Sequence, residues 1–265
     1  MPITALPPDA RPALVLLHSS MSSRTQWSDL IAQQESRFRC IAVDLLGYGK
    51  SPFPADIGAA FSLAHEAGAV NAALAAHLAP SEPFHLIGHS YGGATALRLA
   101  RQMPARVLSL ALFEPVAFHL LPPHDPARAE IEAVVARIGR ADDAAEATRI
   151  FIDYWNRPGT FDGLPAVQQD KLSGQIAKVK LDFQALLGEP ATLADLAVLD
   201  MPALLLSGQN SPASTRRLAE RVAAALPNAS ALQTKGGHMA PISHAAVVNA
   251  ALAGFLLGEE VGNPA

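Results

Sequence analysis

Apolar residues along this 265-residue chain fall into two alternating patterns. Short, mostly apolar runs bounded by turn formers occur at residues 13–17, 40–43, 84–87, 107–113 and 203–206, with a further strand-like segment at 230–234. A strand apolar at every position, with no polar alternate, is one covered on both faces. Between these runs lie stretches with helical spacing, at 26–34, 63–78, 94–103 and 215–226. The alternation predicts an α/β fold, a mostly parallel central sheet flanked by helices, in which ligands bind beyond the carboxyl ends of the strands. The interval 117–190 breaks the rhythm: it has helical stretches at 129–138 and 144–154 and no convincing strand. It reads as a helical cap inserted into a core domain made of 1–116 and 191–265. Its aromatics, Phe118, Phe151, Tyr154, Trp155, Phe161 and Phe183, either line a pocket or fasten the cap to the core, the second being the ordinary role.

Gly88-His89-Ser90-Tyr91-Gly92-Gly93 joins an apolar strand to a helix. A serine on such a sharp turn is held in a strained backbone conformation, and small residues are needed two positions before and after it. Gly88 and Gly92 stand there. The turn lifts the hydroxyl above the strand end and aims backbone N–H groups of the helix start at the same spot, so a nucleophile and donors for an anion arise together.

Serine is a weak nucleophile near neutral pH and needs a base within hydrogen-bond reach, itself oriented by a third group. Of nine histidines, His238 stands out, flanked by glycines in Gly236-Gly237-His238-Met239 after a strand-like segment and before the terminal helix. His65 and His77 lie on a helix, His85 in a strand, His119 and His124 in the cap, and His244 begins the last helix; these have structural readings.

Composition narrows the chemistry. Half the residues are hydrophobic and the net charge is -4, with a pI near 6.1 and no basic block, so there is no electrostatic footprint for nucleic acid or an anionic membrane. A small-molecule substrate is expected. One cysteine, Cys40, sits in an apolar run and reads as a buried strand residue, without a redox or metal role. Residues 1–11 have neither a basic n-region nor an apolar h-region, no window approaches a membrane span, and the expectation is a cytoplasmic protein. The tail from 258 to 265 is polar and expected to fray. Oligomeric state is not legible.

By these residues the chain resembles the α/β-hydrolase superfamily over almost its whole length. His18-Ser19-Ser20 looks like the family's His-Gly oxyanion loop, followed by Trp27, and Asp44-Leu45-Leu46-Gly47-Tyr48-Gly49-Lys50-Ser51 resembles its D-x-x-G-x-G-x-S segment. Gly49-Lys50-Ser51 also imitates the end of a phosphate-binding loop, but the earlier glycine would fall at Asp44, so nucleotide binding carries little weight. The resemblance implies that the backbone N–H groups of Ser20 and Tyr91 form the oxyanion hole.

Two departures stand out. Ser19 replaces the usual glycine of the oxyanion loop, which would narrow the backbone conformations open to it. Ser211, in Gly208-Gln209-Asn210-Ser211, stands where most relatives carry the acid, and a hydroxyl cannot stabilise an imidazolium by charge. Glu114, ending the strand at 107–113, is the preferred substitute, because some members of the superfamily place their acid there and a glutamate after an apolar run is costly to bury without a partner. A structural salt bridge is the plain alternative for Glu114, and Asp195, Asp200 and Asp125 remain as other acids.

The expected function is a serine hydrolase acting through Ser90, His238 and Glu114 on a small or medium apolar ester, lactone or related acyl substrate, with no metal and no organic cofactor. The same site supports C–C bond hydrolysis, cofactor-free lyase or perhydrolase chemistry, and the missing aspartate leaves room for a non-hydrolytic ligand-binding protein on the same fold. Whether Glu114 reaches His238 separates the last from an enzyme.

Overall fold

The computed structural model describes residues 11–259; the expectations for the first ten residues and for the tail beyond Glu259 lie outside them. Six strands form one sheet: β1 (Ala13–Leu17), β2 (Arg39–Val43), β3 (Phe84–His89), β4 (Val107–Phe113), β5 (Ala203–Gly208) and β6 (Ala229–Thr234), in the order β2-β1-β3-β4-β5-β6. Every neighbouring pair is parallel. The apolar runs are explained by two cores, one on each face. Ala13, Val15 and Leu17 of β1 join one core and Leu14 and Leu16 the other, and Leu110 and Leu112 of β4 are divided in the same way from Ala111 and Phe113. Each such valine, leucine or phenylalanine side chain contributes about 2 kcal/mol by leaving water.

Parallel strands need crossovers. The helices α1 (Ser28–Gln34), α2 (Leu63–Leu74) and α3 (Tyr91–Gln102) supply the early ones. Between β4 and β5 come α4 (Pro126–Arg140), α5 (Ala144–Trp155), α6 (Ala166–Ser173) and α7 (Ile176–Gly188), with no strand among them. The chain closes with α8 (Ala213–Ala225), α9 (Ala240–Ser243) and α10 (Ala245–Leu256). Because β1 is flanked by β2 on one side and β3 on the other, the strand order reverses there. The loops leaving β1 and β3 therefore diverge and open a crevice at their carboxyl ends.

Several boundaries differ from the sequence expectation for physical reasons. The expected helix at 26–34 splits into a 3-10 turn, Arg24–Trp27, and α1, because the Ser23 side chain accepts from the Thr25 N–H and starts the turn early. Helix α2 ends at Leu74 instead of continuing to Leu78. Helix α7 escaped sequence reading because two of its inward positions are the charged residues Lys178 and Asp182, which interrupt the apolar stripe, and α6 buries no residue at all. Cys40 is half-buried instead of buried, since β2 is an edge strand. Among the described residues no helix is long and apolar enough to cross a membrane.

Candidate active site

Ser90 stands between β3 and α3 with φ 56° and ψ -119°. The flanking glycines are required by close backbone approach. A Cβ on Gly88 would come 2.5 Å from the Gly92 carbonyl oxygen, and one on Gly92 would come 2.5 Å from that of Leu17. The turn is held in place by Ser90 N–H donating to the Phe113 carbonyl at 3.0 Å. Among the described residues only Met21, Ser90 and Glu114 are non-glycine residues with positive φ, and all three lie in loops at the strand ends around one point. Such conformations cost about 1–3 kcal/mol each and persist where surrounding structure compels them.

His238 lies between Ser90 and Glu114. The Ser90 hydroxyl donates to His238 Nε2 at 2.9 Å, and His238 Nδ1–H donates to Glu114 Oε2 at 2.7 Å. The carboxylate acceptor sets the tautomer, leaving the Nε2 lone pair facing the hydroxyl. Glu114 is fully buried; its other oxygen, Oε1, accepts from the Gly208 N–H at 2.7 Å, and its own N–H donates to the Leu206 carbonyl at 2.9 Å. The end of β5 thus still serves this glutamate through a backbone donor, while Ser211 of the following turn is buried with a hydroxyl that has no protein partner.

Both imidazole nitrogens being taken, the other carboxylates have separate duties. Asp195 closes a capping box with Thr192, and Asp125 caps α4 and lies near Arg217 and Arg221; the backbone carbonyl of Asp200, not its carboxylate, accepts from the Asn228 side-chain amide. The Trp155 ring lies over His238 at 4.2 Å between centroids, tilted by 30°. An aromatic ring there covers one face of the imidazole. His89, passed over in the sequence, lies beneath. Its Nε2–H donates to the His238 carbonyl at 2.9 Å, and burial holds its pKa well below the ordinary histidine range.

The loop after β1 is built around His18. Its Nε2 accepts from the Leu45 N–H at 3.0 Å and its Nδ1–H donates to the Ser19 carbonyl at 2.7 Å, and burial lowers its pKa to about 4. It is a neutral brace between two loops. Asp44 ties the second loop by accepting from the N–H groups of Arg24 and Lys50 at 2.7 and 3.0 Å, and Gly49 is needed because a Cβ would run into the Asp44 carboxyl. The expected constraint from Ser19 does not arise: positive φ falls at Met21 instead, and the Ser19 hydroxyl and N–H both donate to Gln26 Oε1.

The side chains of the two residues expected to supply backbone donors are held away from Ser90 by a buried charged cluster that the sequence reading missed. The Ser20 and Tyr48 hydroxyls donate to Asp182 Oδ2 at 2.7 and 2.5 Å, and Tyr91 O–H donates to Glu66 at 3.0 Å. Lys178 Nζ bridges Glu66, at 3.2 Å, and Asp182, and sits 4.7 Å from the Tyr91 ring centroid. All three charged residues are at most 2% exposed. Burial is the main influence on Glu66 and raises its pKa, against the pull of Lys178. One signal for this was available: Glu66 shares a helical face with Leu63 and Val70, a core position occupied by a charge.

A cavity of about 160 Å³ opens over Ser90 and His238, walled by Phe151, Ile152, Trp155 and Ile242. Among the described residues no cluster of three or more histidines, cysteines or carboxylates is arranged to hold a metal. A parallel sheet with a strained serine at its switch point, bonded to a histidine from the last strand-to-helix loop, defines the α/β-hydrolase class. The alpha/beta hydrolase fold family matches residues 12–245, and the chain belongs to it; it is an enzyme of the hydrolase type. Over 221 residues it is 28% identical to a pimeloyl-[acyl-carrier protein] methyl ester esterase of Methylococcus capsulatus, covering 74% of this chain and 83% of that one. Over 111 residues it is 34% identical to a probable lysophospholipase, BODYGUARD 1, of Arabidopsis thaliana, which takes in 40% of this chain but only 23% of the plant protein. Among solved structures, a thermophilic esterase from Thermogutta terrifontis superposes with TM-score 0.70 at 26% identity over 93% of this chain and 90% of that one. An enol-lactonase from Burkholderia xenovorans LB400 shares the fold with TM-score 0.75 at 19% identity over 94% and 92%.

Proposed function

We propose that this protein is a serine esterase working through Ser90, His238 and Glu114. The observation that carries the reading is the continuous chain from the Ser90 hydroxyl through both nitrogens of His238 to a buried carboxylate, at 2.9 and 2.7 Å. Ser90 Oγ attacks the ester carbonyl while His238 Nε2 takes its proton, and Glu114 stabilises the imidazolium by charge. The N–H groups of Ser20 and Tyr91 receive the developing oxyanion. His238 then hands the proton to the departing alcohol, and the same residue activates water to release the acid from Ser90. Helices α4–α7, residues 117–190, act as a cap on the core of 1–116 and 191–265; Phe151, Trp155 and Leu172 in the wall of the cavity over Ser90 support that role. The esterase names of the Methylococcus and Thermogutta relatives favour ester hydrolysis over C–C cleavage or ligand binding alone.

The test is hydrolysis of short-chain 4-nitrophenyl esters by the wild type, Ser90→Ala and Glu114→Gln, with folding checked by circular dichroism. Loss of turnover in both folded variants is expected. Retained full activity in Ser90→Ala overturns the reading, and loss in Ser90→Ala alone moves the acid away from Glu114.

A further inference from the structure

The space around Ser90 is divided into two unequal parts. His238 borders only the outer cavity of about 160 Å³, together with Met239 and Ile242. The inner one, also bordering Ser90, Ser20, Phe151 and Trp155, has a volume of about 10 Å³ and is lined on its far side by Val116 and by Val179, Asp182, Phe183 and Leu186. That is room for a single water molecule or a methyl group. The chemistry assigns the two sides. The leaving alcohol must receive its proton from His238 Nε2, so it lies in the outer cavity, and the acyl chain, on the other side of the carbonyl carbon, points inward.

The inner wall is one face of α7: residues 179, 182, 183 and 186 follow helical spacing. This face has little freedom to retreat. Asp182 accepts from the Ser20 and Tyr48 hydroxyls and from Lys178, which also binds Glu66 on α2, and moving α7 would separate these buried charges. Outward the space widens instead. Met21, Ser22 and Leu172 are shared with an open cleft of about 450 Å³ lined also by Thr25, Gln168 and Lys171.

We infer that, within the esterase reading on which this rests, the enzyme selects esters of a very short acyl group, acetate above all, with a larger alcohol that is apolar next to the ester oxygen and polar beyond it. In the first step the Ser90 Oγ–carbon bond forms, the carbon–alkoxy oxygen bond breaks, and the serine proton passes through His238 to the alcohol. Water then adds to the acetyl carbon, releasing acetate and a proton and restoring Ser90.

The experiment is kcat/KM for 4-nitrophenyl acetate, butyrate, hexanoate and octanoate, which vary the acyl chain at a constant leaving group, for wild type, Leu186→Ala and the milder Val179→Ala. Acetate is expected to be best, with a fall of about tenfold or more by hexanoate. Either variant that folds should move the optimum to a longer chain, while Ile242→Ala, in the outer wall, leaves the order unchanged. Equal rates for acetate and octanoate, abolished in Ser90→Ala, overturn this inference and leave the esterase reading standing. An unshifted optimum in folded Leu186→Ala and Val179→Ala also overturns it. If no ester is cleaved and a fluorophosphonate fails to label Ser90, both fall.

Discussion

Glu114 combines three properties: complete burial, a φ of 42° and both carboxylate oxygens engaged. Replacing it with Gln keeps the shape but removes the charge opposite the imidazolium, so kcat should fall about 10²- to 10⁴-fold with KM little changed; steady-state kinetics on 4-nitrophenyl acetate reads this directly. Trp155→Leu removes the ring lying over His238 and should lower kcat by up to about tenfold, with thermal unfolding as control for lost packing. Gly92→Ala should abolish soluble folded protein or shift its melting temperature sharply down, because the new methyl meets the Leu17 carbonyl. Ser90 and its glycines were legible because the elbow's residues lie together within five positions, although the carbonyl that Gly92 must clear belongs to Leu17 on β1. Glu114 was legible only as a charge at the end of an apolar run. Its partnership with His238 spans 124 positions and depends on β4 and β5 lying side by side, so that a side chain from one strand reaches the place ordinarily served from the next.

At the scale of elements, α7 is the least foreseeable part and the most consequential. Lys178 and Asp182, spaced i,i+4, are buried between α2, the loop after β1 and the turn at Tyr48. Deleting the cation should leave two carboxylates stranded. Lys178→Met is expected to lose about 3–5 kcal/mol of stability in urea unfolding, and adding Glu66→Gln, which needs no counter-charge, should recover part of it. Recovery by the second substitution distinguishes lost charge balance from lost packing. The strands, by contrast, were read almost to their ends, since burial on both faces of the inner strands leaves few polar positions to blur the pattern.

At the scale of the whole molecule, the buried His18 and the part-buried His119 are held neutral, and both count against stability in acid. Burial lowers His18 and His119 from an ordinary 6.5 to about 4, so between those values the unfolded chain binds protons that the folded one refuses. Stability is fully present above about pH 6.5 and is lost as pH falls towards 4, on the order of 3 kcal/mol for the buried His18 and less for the part-buried His119. Urea midpoints at about pH 7 and about pH 4.5 should therefore differ, with the higher value at neutral pH, and His119→Gln should narrow the gap.

What the sequence determined by itself was set by short-range physics. Apolar runs demanded strands covered on both sides, the glycines about Ser90 allowed only one tight turn, and Gly236-Gly237 marked His238 as a residue on a flexible loop. What only the tertiary structure decided was the company these residues keep. The neighbours of β1, the reach of Glu114 from β4, the ring over His238 and the burial of Lys178 with Asp182 and Glu66 all depend on which distant segments the sheet order brings together. Hydrophobic pattern records how deeply a residue must be buried and carries no record of which partner it will meet there.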